Sequence, residues 1–178
     1  MSSDLGSFLH ATLRGGPAVA VTTAPVTVNL DLDLEHGLVV RRLDGDAMRT
    51  LDGMYDQYAQ AWQFPDHFWH GMDSFDDVIG DLDGGALRTA TGARPAGFLT
   101  IVTHGENFLV DAAPDDFAWF AGSQAEYRDD YRTPNAYNAD RPQPLEFGLL
   151  LHTEAAHVDR LVTRWAAAGA PPTLLEGA

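Results

Sequence analysis

Residues 64–83 read FPDHFWHGMDSFDDVIGDLD, and this stretch predicts a loop followed by a short amphipathic helix. At 3.6 residues per turn, its apolar side chains recur at i, i+3, i+4 and i+7 and form one stripe. The stripe consists of Phe75, Val78, Ile79 and Leu82, with Met72 one turn earlier. Because an apolar stripe is stable only when buried, the helix is predicted to pack against a core.

Three acids, Asp73, Asp76 and Asp77, project from a different face of this helix, with the small Gly80 one turn further on. Like charges at this spacing repel one another, and only the first acid gains much from the positive N-terminus of the helix. Such a face needs either water or a cationic partner. It is therefore an ordinary solvated surface, or a set of carboxylates that imitates phosphates and binds Arg or Lys of a protein.

The composition narrows the class of protein. The chain has 178 residues, 45% of them hydrophobic, and carries 26 acids against 11 bases for a net charge of −15. This hydrophobic content indicates a folded protein, and the charge argues against nucleic-acid binding and favours a basic protein partner. No apolar run is long enough to span a bilayer, and residues 1–14 lack the pattern of a signal peptide. The absence of cysteine excludes disulfides and fits a cytoplasmic location.

Strand and helix patterns alternate along the chain and predict an α/β fold. Three apolar runs, at residues 38–43, 97–103 and 145–151, read as core strands, and the long helical connections between them suit parallel pairing. Composition marks residues 129–144 as a loop.

The same pass along the chain predicts three regions. Residues 1–36 form an N-terminal appendage with a short helix and strands, residues 37–151 form the α/β domain, and residues 152–178 form a C-terminal helix and tail. The appendage contains strand-like alternation at residues 18–23 and 26–34.

Metal binding and catalysis are the alternatives to a protein-binding surface. His67, His70 and Asp73 recur at i, i+3 and i+6, a spacing that lacks the i, i+4 histidine pair of strong zinc signatures. No nucleophile elbow, P-loop, dinucleotide fingerprint or zincin motif occurs. We therefore expect no metal, no cofactor and no enzymatic activity.

One arrangement of motifs is specific enough to indicate a family. A strand ending in Leu43-Asp44-Gly45 precedes a helix, then Phe-Pro-x-x-Phe at 64–68, then Asp-x-x-x-Asp at 73–77 on an amphipathic helix. This order resembles the barstar family of intracellular ribonuclease inhibitors. The resemblance is close over residues 38–83, and a looser match in element order continues to residue 151.

The resemblance implies a three-stranded parallel sheet flanked by helices, and an acidic helix that blocks the active site of a small basic ribonuclease or related toxin. Asp77 matches the family's main anchor, Asp73 its first acid, and His67 and Phe68 its loop aromatics. The resemblance also implies that residues throughout the loop and the helix contact the partner. The predicted partner-binding residues are Asp77, Asp73, Asp76, His67, Phe68, Trp69, His70, Gly71, Met72 and Gly80.

The chain departs from the family pattern in the loop and helix. Where the family commonly has Tyr-Gly-x-Asn before the first acid, this chain has residues 68–71, Phe-Trp-His-Gly, and Asp76 replaces the aromatic residue before the second acid. An antitoxin- or immunity-type inhibitor is the first interpretation. The alternative is a non-inhibitory interaction or scaffold domain on the same fold.

Overall fold

The computed structural model describes residues 4–25, 37–84, 87–134 and 143–175. Within these ranges the chain forms helices α1 Leu5–Thr12, α2 Leu51–Trp62, α3 Met72–Gly80, α4 Pro114–Arg132 and α5 Val158–Ala167. The strands are β1 Val19–Thr22, β2 Leu38–Asp44, β3 Gly97–Thr103, β4 Glu146–His152 and β5 Thr173–Leu174. Across the same ranges, every helix is too short or too polar to cross a membrane.

One parallel sheet organises the fold, which is α/β as predicted. Its strand order is β2-β3-β4-β1-β5, so the described chain forms five strands and the prediction of three was wrong. The three predicted strands lie side by side, with Leu38 opposite Gly97 and Gly97 opposite Glu146. The additional strands pair beyond β4, where Val19 lies opposite Leu149. They are only four and two residues long, too short for a periodic pattern to reveal their pairing.

The two faces of the sheet carry separate apolar clusters. Helices α2 to α5 cover one face and build the larger cluster, which contains Trp62, Phe75, Phe120 and Trp165. On the other face, Phe8 and Leu9 of α1 pack with strand residues that include Leu99, Ile101 and Leu150. The β1 strand, which lies within the predicted N-terminal appendage, therefore contributes to the same sheet as the predicted α/β domain.

Helix α2 has clear start and stop signals, and its end places the candidate loop. The side chain of Thr50 accepts a hydrogen bond from the Gly53 backbone N–H and caps the first turn. Gln63 ends the helix in the left-handed conformation, with φ 54°. Phe64-Pro65 follows and prevents further helix, because the residue before proline disfavours helical backbone.

Helix α4 continues further than expected, through residues 129–132 of the predicted loop. Tyr131 explains this extension, because its ring is stacked on Phe147 of β4 with centroids 5.2 Å apart. Its hydroxyl also accepts a hydrogen bond from the Leu82 backbone N–H at 3.0 Å. These contacts stabilise the last helical turn. The strand-like alternation predicted at residues 26–34 lies outside the described residues.

Candidate partner-binding site

Two phenylalanines attach the loop between α2 and α3 to the core. The rings of Phe64 and Phe68 are perpendicular, with centroids 4.8 Å apart, and Phe64 also lies 5.9 Å from Phe75 of α3. The Phe68 ring packs edge-on against Tyr55 of α2 at 6.1 Å. Both loop rings are half-buried. The contact role predicted for Phe68 stays a prediction, and in the structure its ring anchors the loop.

His70 connects the loop to the acidic side of helix α2. Its Nδ1 lies 3.1 Å from Asp52 Oδ1, and its Nε2 lies 3.1 Å from Asp56 Oδ1. The imidazole also packs against the Tyr55 ring, with centroids 5.2 Å apart. Asp52 and Asp56 are one helical turn apart, so the ring is held between consecutive acids on the same face of α2.

Trp69 is the most exposed large hydrophobic side chain in the described part of the chain, with 60% of its surface accessible. Its ring lies over Gly71, where an added Cβ would come within 2.0 Å of a Trp69 ring carbon. Gly71 has φ 178°, an extended value open to any residue, so the backbone conformation does not require glycine here. The two departures from the family pattern, at positions 69 and 71, thus lie against each other.

The apolar stripe of helix α3 faces the core, as its spacing predicted, although Val78 and Met72 are only half-buried. Phe75 is fully buried and Ile79 nearly so. Phe75 contacts the rings of Trp119 and Phe120 on α4, at centroid distances of 5.8 and 6.1 Å. Helix α3 therefore lies against α4, and its opposite face is turned outward.

Asp73 and Asp77 lie on the outward face of α3 and are exposed. They are one turn apart, so both carboxylates are available on the same side of the helix. Among the residues that the structure describes, neither side chain forms a hydrogen bond or an ion pair. Two carboxylates without an internal partner can accept the forked guanidinium of arginine or the ammonium of lysine.

Asp76 differs from its neighbours, because it is half-buried and its carboxylate is turned toward α4. Its Oδ2 accepts a hydrogen bond from Trp119 Nε1 at 3.2 Å, and its Oδ1 accepts one from the Tyr127 hydroxyl. Burial, together with this hydrogen bond, raises the pKa of Tyr127 well above its usual value. Of the three acids predicted to share one exposed face, Asp73 and Asp77 do so and Asp76 does not.

The remaining predicted contact residues occupy different environments around the loop and helix. His67 is exposed at the loop, and Met72 is half-buried at the first position of α3. Gly80 ends the helix, and a Cβ added there would meet no atom within 4 Å. Packing therefore does not require glycine at position 80, and at position 71 an added Cβ would displace the exposed Trp69 ring.

Sequence reasoning missed the residues that support this surface. Asp52 and Asp56, which hold His70, have an i, i+4 spacing that was visible on α2. Trp119 and Tyr127, which hold Asp76, are more than 40 positions away from it, as the separations of 43 and 51 show. No local pattern indicates such a pairing.

The arrangement does not favour a metal at His67, His70 and Asp73. Both ring nitrogens of His70 face carboxylates of α2 instead. In the described ranges, the group with ligand atoms close enough to share an ion lies elsewhere, at the ends of two strands.

Comparison with known families gives one match. The sequence profile described as Barstar (barnase inhibitor) matches residues 38–147, which include β2, β3, the candidate loop and helix, and the start of β4. A search of curated proteins found no match.

Two solved structures superpose on the chain. One, titled as the ORC2 protein of Aeropyrum pernix in ADPNP–ADP complexes, superposes with a TM-score of 0.54 at 10% identity over 96% of this chain and 44% of that chain. Cdc6p of Pyrobaculum aerophilum superposes with a TM-score of 0.47 at 13% identity, over 96% and 43%. The chain thus spans less than half of either neighbour. At such identities the likeness concerns the fold alone.

Proposed function

The chain belongs to the barstar family, and on this basis we propose that it is an inhibitor of the antitoxin or immunity type. It binds a basic ribonuclease or a related toxin and blocks the active site of that enzyme. The binding surface consists of helix α3 and the loop before it, with Asp77 as the main anchor and Asp73 as the second. The chain is itself not an enzyme in this proposal, and it requires no cofactor.

The exposed pair Asp73 and Asp77 carries the proposal. Both acids lie on the outward face of α3 and have no partner among the described residues. A ribonuclease binds phosphates with cationic side chains, and carboxylates offer those cations the same bidentate geometry. Membership of the family implies the same role for the matching acids, and this supports the proposal.

Long-range charge supports the same partner class. The net charge of −15 attracts a basic protein and steers its approach before contact. The loop that faces such a partner is held by Phe64, Phe68 and His70, so little ordering cost remains to be met on binding. Added salt is therefore expected to lower the association rate and to change the dissociation rate much less.

A second candidate function is a non-inhibitory interaction domain on the same fold. The observation that favours it is the changed loop, in which the exposed Trp69 ring covers Gly71 and Asp76 is turned toward α4. The two functions differ in the partner that they require. An inhibitor needs a nuclease whose activity it suppresses, and a scaffold does not.

Affinity capture from the source cell tests the proposal. Wild-type chain and the double variant D73N/D77N are immobilised, and the captured proteins are assayed for hydrolysis of a fluorogenic RNA. We expect the wild type to capture a small basic protein whose ribonuclease activity falls as free chain is added. Capture of proteins without nuclease activity would support the scaffold instead, and equal capture by the double variant would contradict the site.

The single variant D77N, matched with D159N on helix α5, tests the anchor by calorimetry with the captured partner. Both changes remove one exposed carboxylate charge. Stranding a buried cation of the partner costs at least about 2 kcal/mol, or roughly 30-fold in affinity, so D77N should weaken binding by this amount. D159N should leave it nearly unchanged.

A further inference from the structure

A cluster of metal-ligating side chains lies at the carboxyl edge of the sheet, outside the surface described above. Asp44 is the last residue of β2, Asp46 follows two residues later, and His104 comes directly after β3. Strands β2 and β3 are adjacent and parallel, with Asp44 opposite Thr103 in the register. Because both strands end at this side of the sheet, the residues that follow them lie close together.

The backbone of this edge brings the three side chains together. The Gly45 N–H donates a hydrogen bond to the Thr103 carbonyl at 2.7 Å, which extends the β2–β3 ladder into the turn. A Cβ at Gly45 would lie 2.2 Å from the His104 carbonyl oxygen, so only glycine allows the two chains to approach this closely. The turn that carries both aspartates is thereby held against His104.

The donor atoms converge on one point. His104 Nδ1 lies 2.9 Å from Asp44 Oδ1 and 3.6 Å from Asp46 Oδ2. One atom from each residue falls within 4.8 Å of the other two. Zinc binds imidazole nitrogen and carboxylate oxygen at about 2.0–2.2 Å, so its ligand atoms stand no more than about 4.4 Å apart. In the tetrahedral geometry of zinc these ligand atoms lie about 3.4 Å apart. The distance from His104 to Asp46 is close to this value, and the distance from His104 to Asp44 would have to lengthen by about 0.5 Å.

A neighbouring side chain orients the Asp46 carboxylate toward His104. Asn107 Nδ2 donates a hydrogen bond to Asp46 Oδ1 at 2.6 Å, which leaves Oδ2 facing His104. Outer hydrogen bonds of this kind fix the ligands of metal sites.

We propose that Asp44, Asp46 and His104 bind a divalent transition-metal ion of the zinc class. Two carboxylates and one imidazole supply three ligands. This mixed nitrogen and oxygen set suits Zn²⁺ and Co²⁺ better than Mg²⁺, which prefers oxygen ligands alone. All three residues are exposed, so water completes the coordination. The ion ties the end of β2 to the end of β3 and replaces the contact between His104 and Asp44.

Isothermal titration of the chelator-treated full chain with ZnCl₂ at neutral pH tests this site. We expect binding of one ion per chain, with a rise in melting temperature in excess Zn²⁺ because the ion binds only the folded state. The variants H104N and D46N should each lose at least about 10-fold in affinity. Asparagine is chosen at position 104 because the residue has φ 49°, a left-handed value that asparagine tolerates.

The matched controls are H10N on helix α1 and D81N after helix α3, which change the same residue types at other exposed positions. Both should bind Zn²⁺ as the wild type does, and circular dichroism shows whether all four variants are folded. The proposal is overturned if the wild type binds no Zn²⁺ up to millimolar concentration. It is equally overturned if H104N binds as tightly as H10N. Neither result bears on inhibition, because the site shares no residue with the proposed inhibitory surface.

Discussion

The indole Nε1 of Trp119 lies 3.2 Å from Oδ2 of Asp76 and donates a hydrogen bond that joins helix α4 to helix α3. The Tyr127 hydroxyl donates to the other oxygen of the same carboxylate. Helix α4 thus uses one of three neighbouring acids to fix the orientation of α3. The other two, Asp73 and Asp77, face outward as a consequence.

Removal of this acceptor should destabilise the fold. The variant D76A removes the carboxylate that accepts from the Tyr127 hydroxyl and the Trp119 indole, and we expect the free energy of unfolding to fall by about 1–3 kcal/mol. Urea denaturation followed by circular dichroism measures the change. The control D77A removes an exposed acid in the middle of the same helix and should alter stability by less than about 0.5 kcal/mol. Equal stabilities for the two variants would show that the α3–α4 hydrogen bonds contribute nothing.

Loss of the His70 contacts should loosen the loop without unfolding the chain. In H70A the imidazole no longer joins Asp52 and Asp56 to the loop, so local opening becomes easier. Hydrogen–deuterium exchange read by mass spectrometry should show faster exchange in peptides that cover residues 66–71. The matched control is H67A, an exposed histidine in the same loop. Identical exchange in both variants would mean that His70 does not hold the loop.

Arg164 should contribute strongly to stability. Its guanidinium donates hydrogen bonds of 2.7 Å to the carbonyl oxygens of Phe108 and Leu109 and lies 3.7 Å from the Phe117 ring centroid. Burial lowers the pKa of Arg164. We expect R164A to lower the free energy of unfolding by about 2–3 kcal/mol, because charged hydrogen bonds and a cation–π contact are lost together.

A lysine at the same position separates geometry from charge. R164K keeps the positive charge but lacks the planar fork that reaches both carbonyls, so its stability should fall between those of R164A and wild type. The exposed Arg160, also on α5, provides the control, and R160A should change stability little. Thermal denaturation at one protein concentration compares all four proteins. A wild-type melting temperature for R164A would contradict the assigned role.

Acid should weaken the end of helix α4 through Asp129. Hydrogen bonds from Arg128 and then Arg132 hold the pKa of Asp129 below the usual 3.8. A carboxylate with a lowered folded-state pKa adds stability that is complete above its unfolded pKa and is lost as pH falls through the folded value. We therefore expect D129N to be less stable than wild type at pH 6. The difference should shrink steadily below about pH 4.

Urea midpoints measured from pH 6 to pH 2.5 test this dependence. The comparison is D130N, which changes the neighbouring exposed acid. A difference between D129N and wild type that stays constant over this range would exclude the ionised Asp129 as its cause.

Much of the candidate surface could be predicted from the sequence, because it depends on the spacing of residues that are close together in the chain. The apolar spacing of α3 predicted that Phe75 and Ile79 are buried, and both are. The Phe64-Pro65 pair predicted the end of α2, and Gln63 ends it in the structure. The family match over residues 38–147 confirms the resemblance that these motifs carried.

Other features depended on residues far apart in the chain. The two additional strands are stabilised by pairing, with Ala20 opposite Thr173, and neither is long enough to have a pattern of its own. The helical residues 129–132 had the composition of a loop, yet Tyr131 packs on Phe147 and holds them in α4. The position of Asp76 was equally hidden, because its partners belong to another helix.

Sequence alone determined the α/β class, the amphipathic helix α3 and the acids that it carries, because helical and strand periodicities are properties of consecutive residues. Tertiary structure decided which of those acids face solvent. Asp73, Asp76 and Asp77 are the same residue type on the same helix. They differ in their contacts with α4, whose Trp119 donates a hydrogen bond to Asp76. The donor that binds the Asp76 carboxylate lies 43 positions away in the sequence. The packing of two helices brings it there, and the pattern of consecutive residues does not predict that packing.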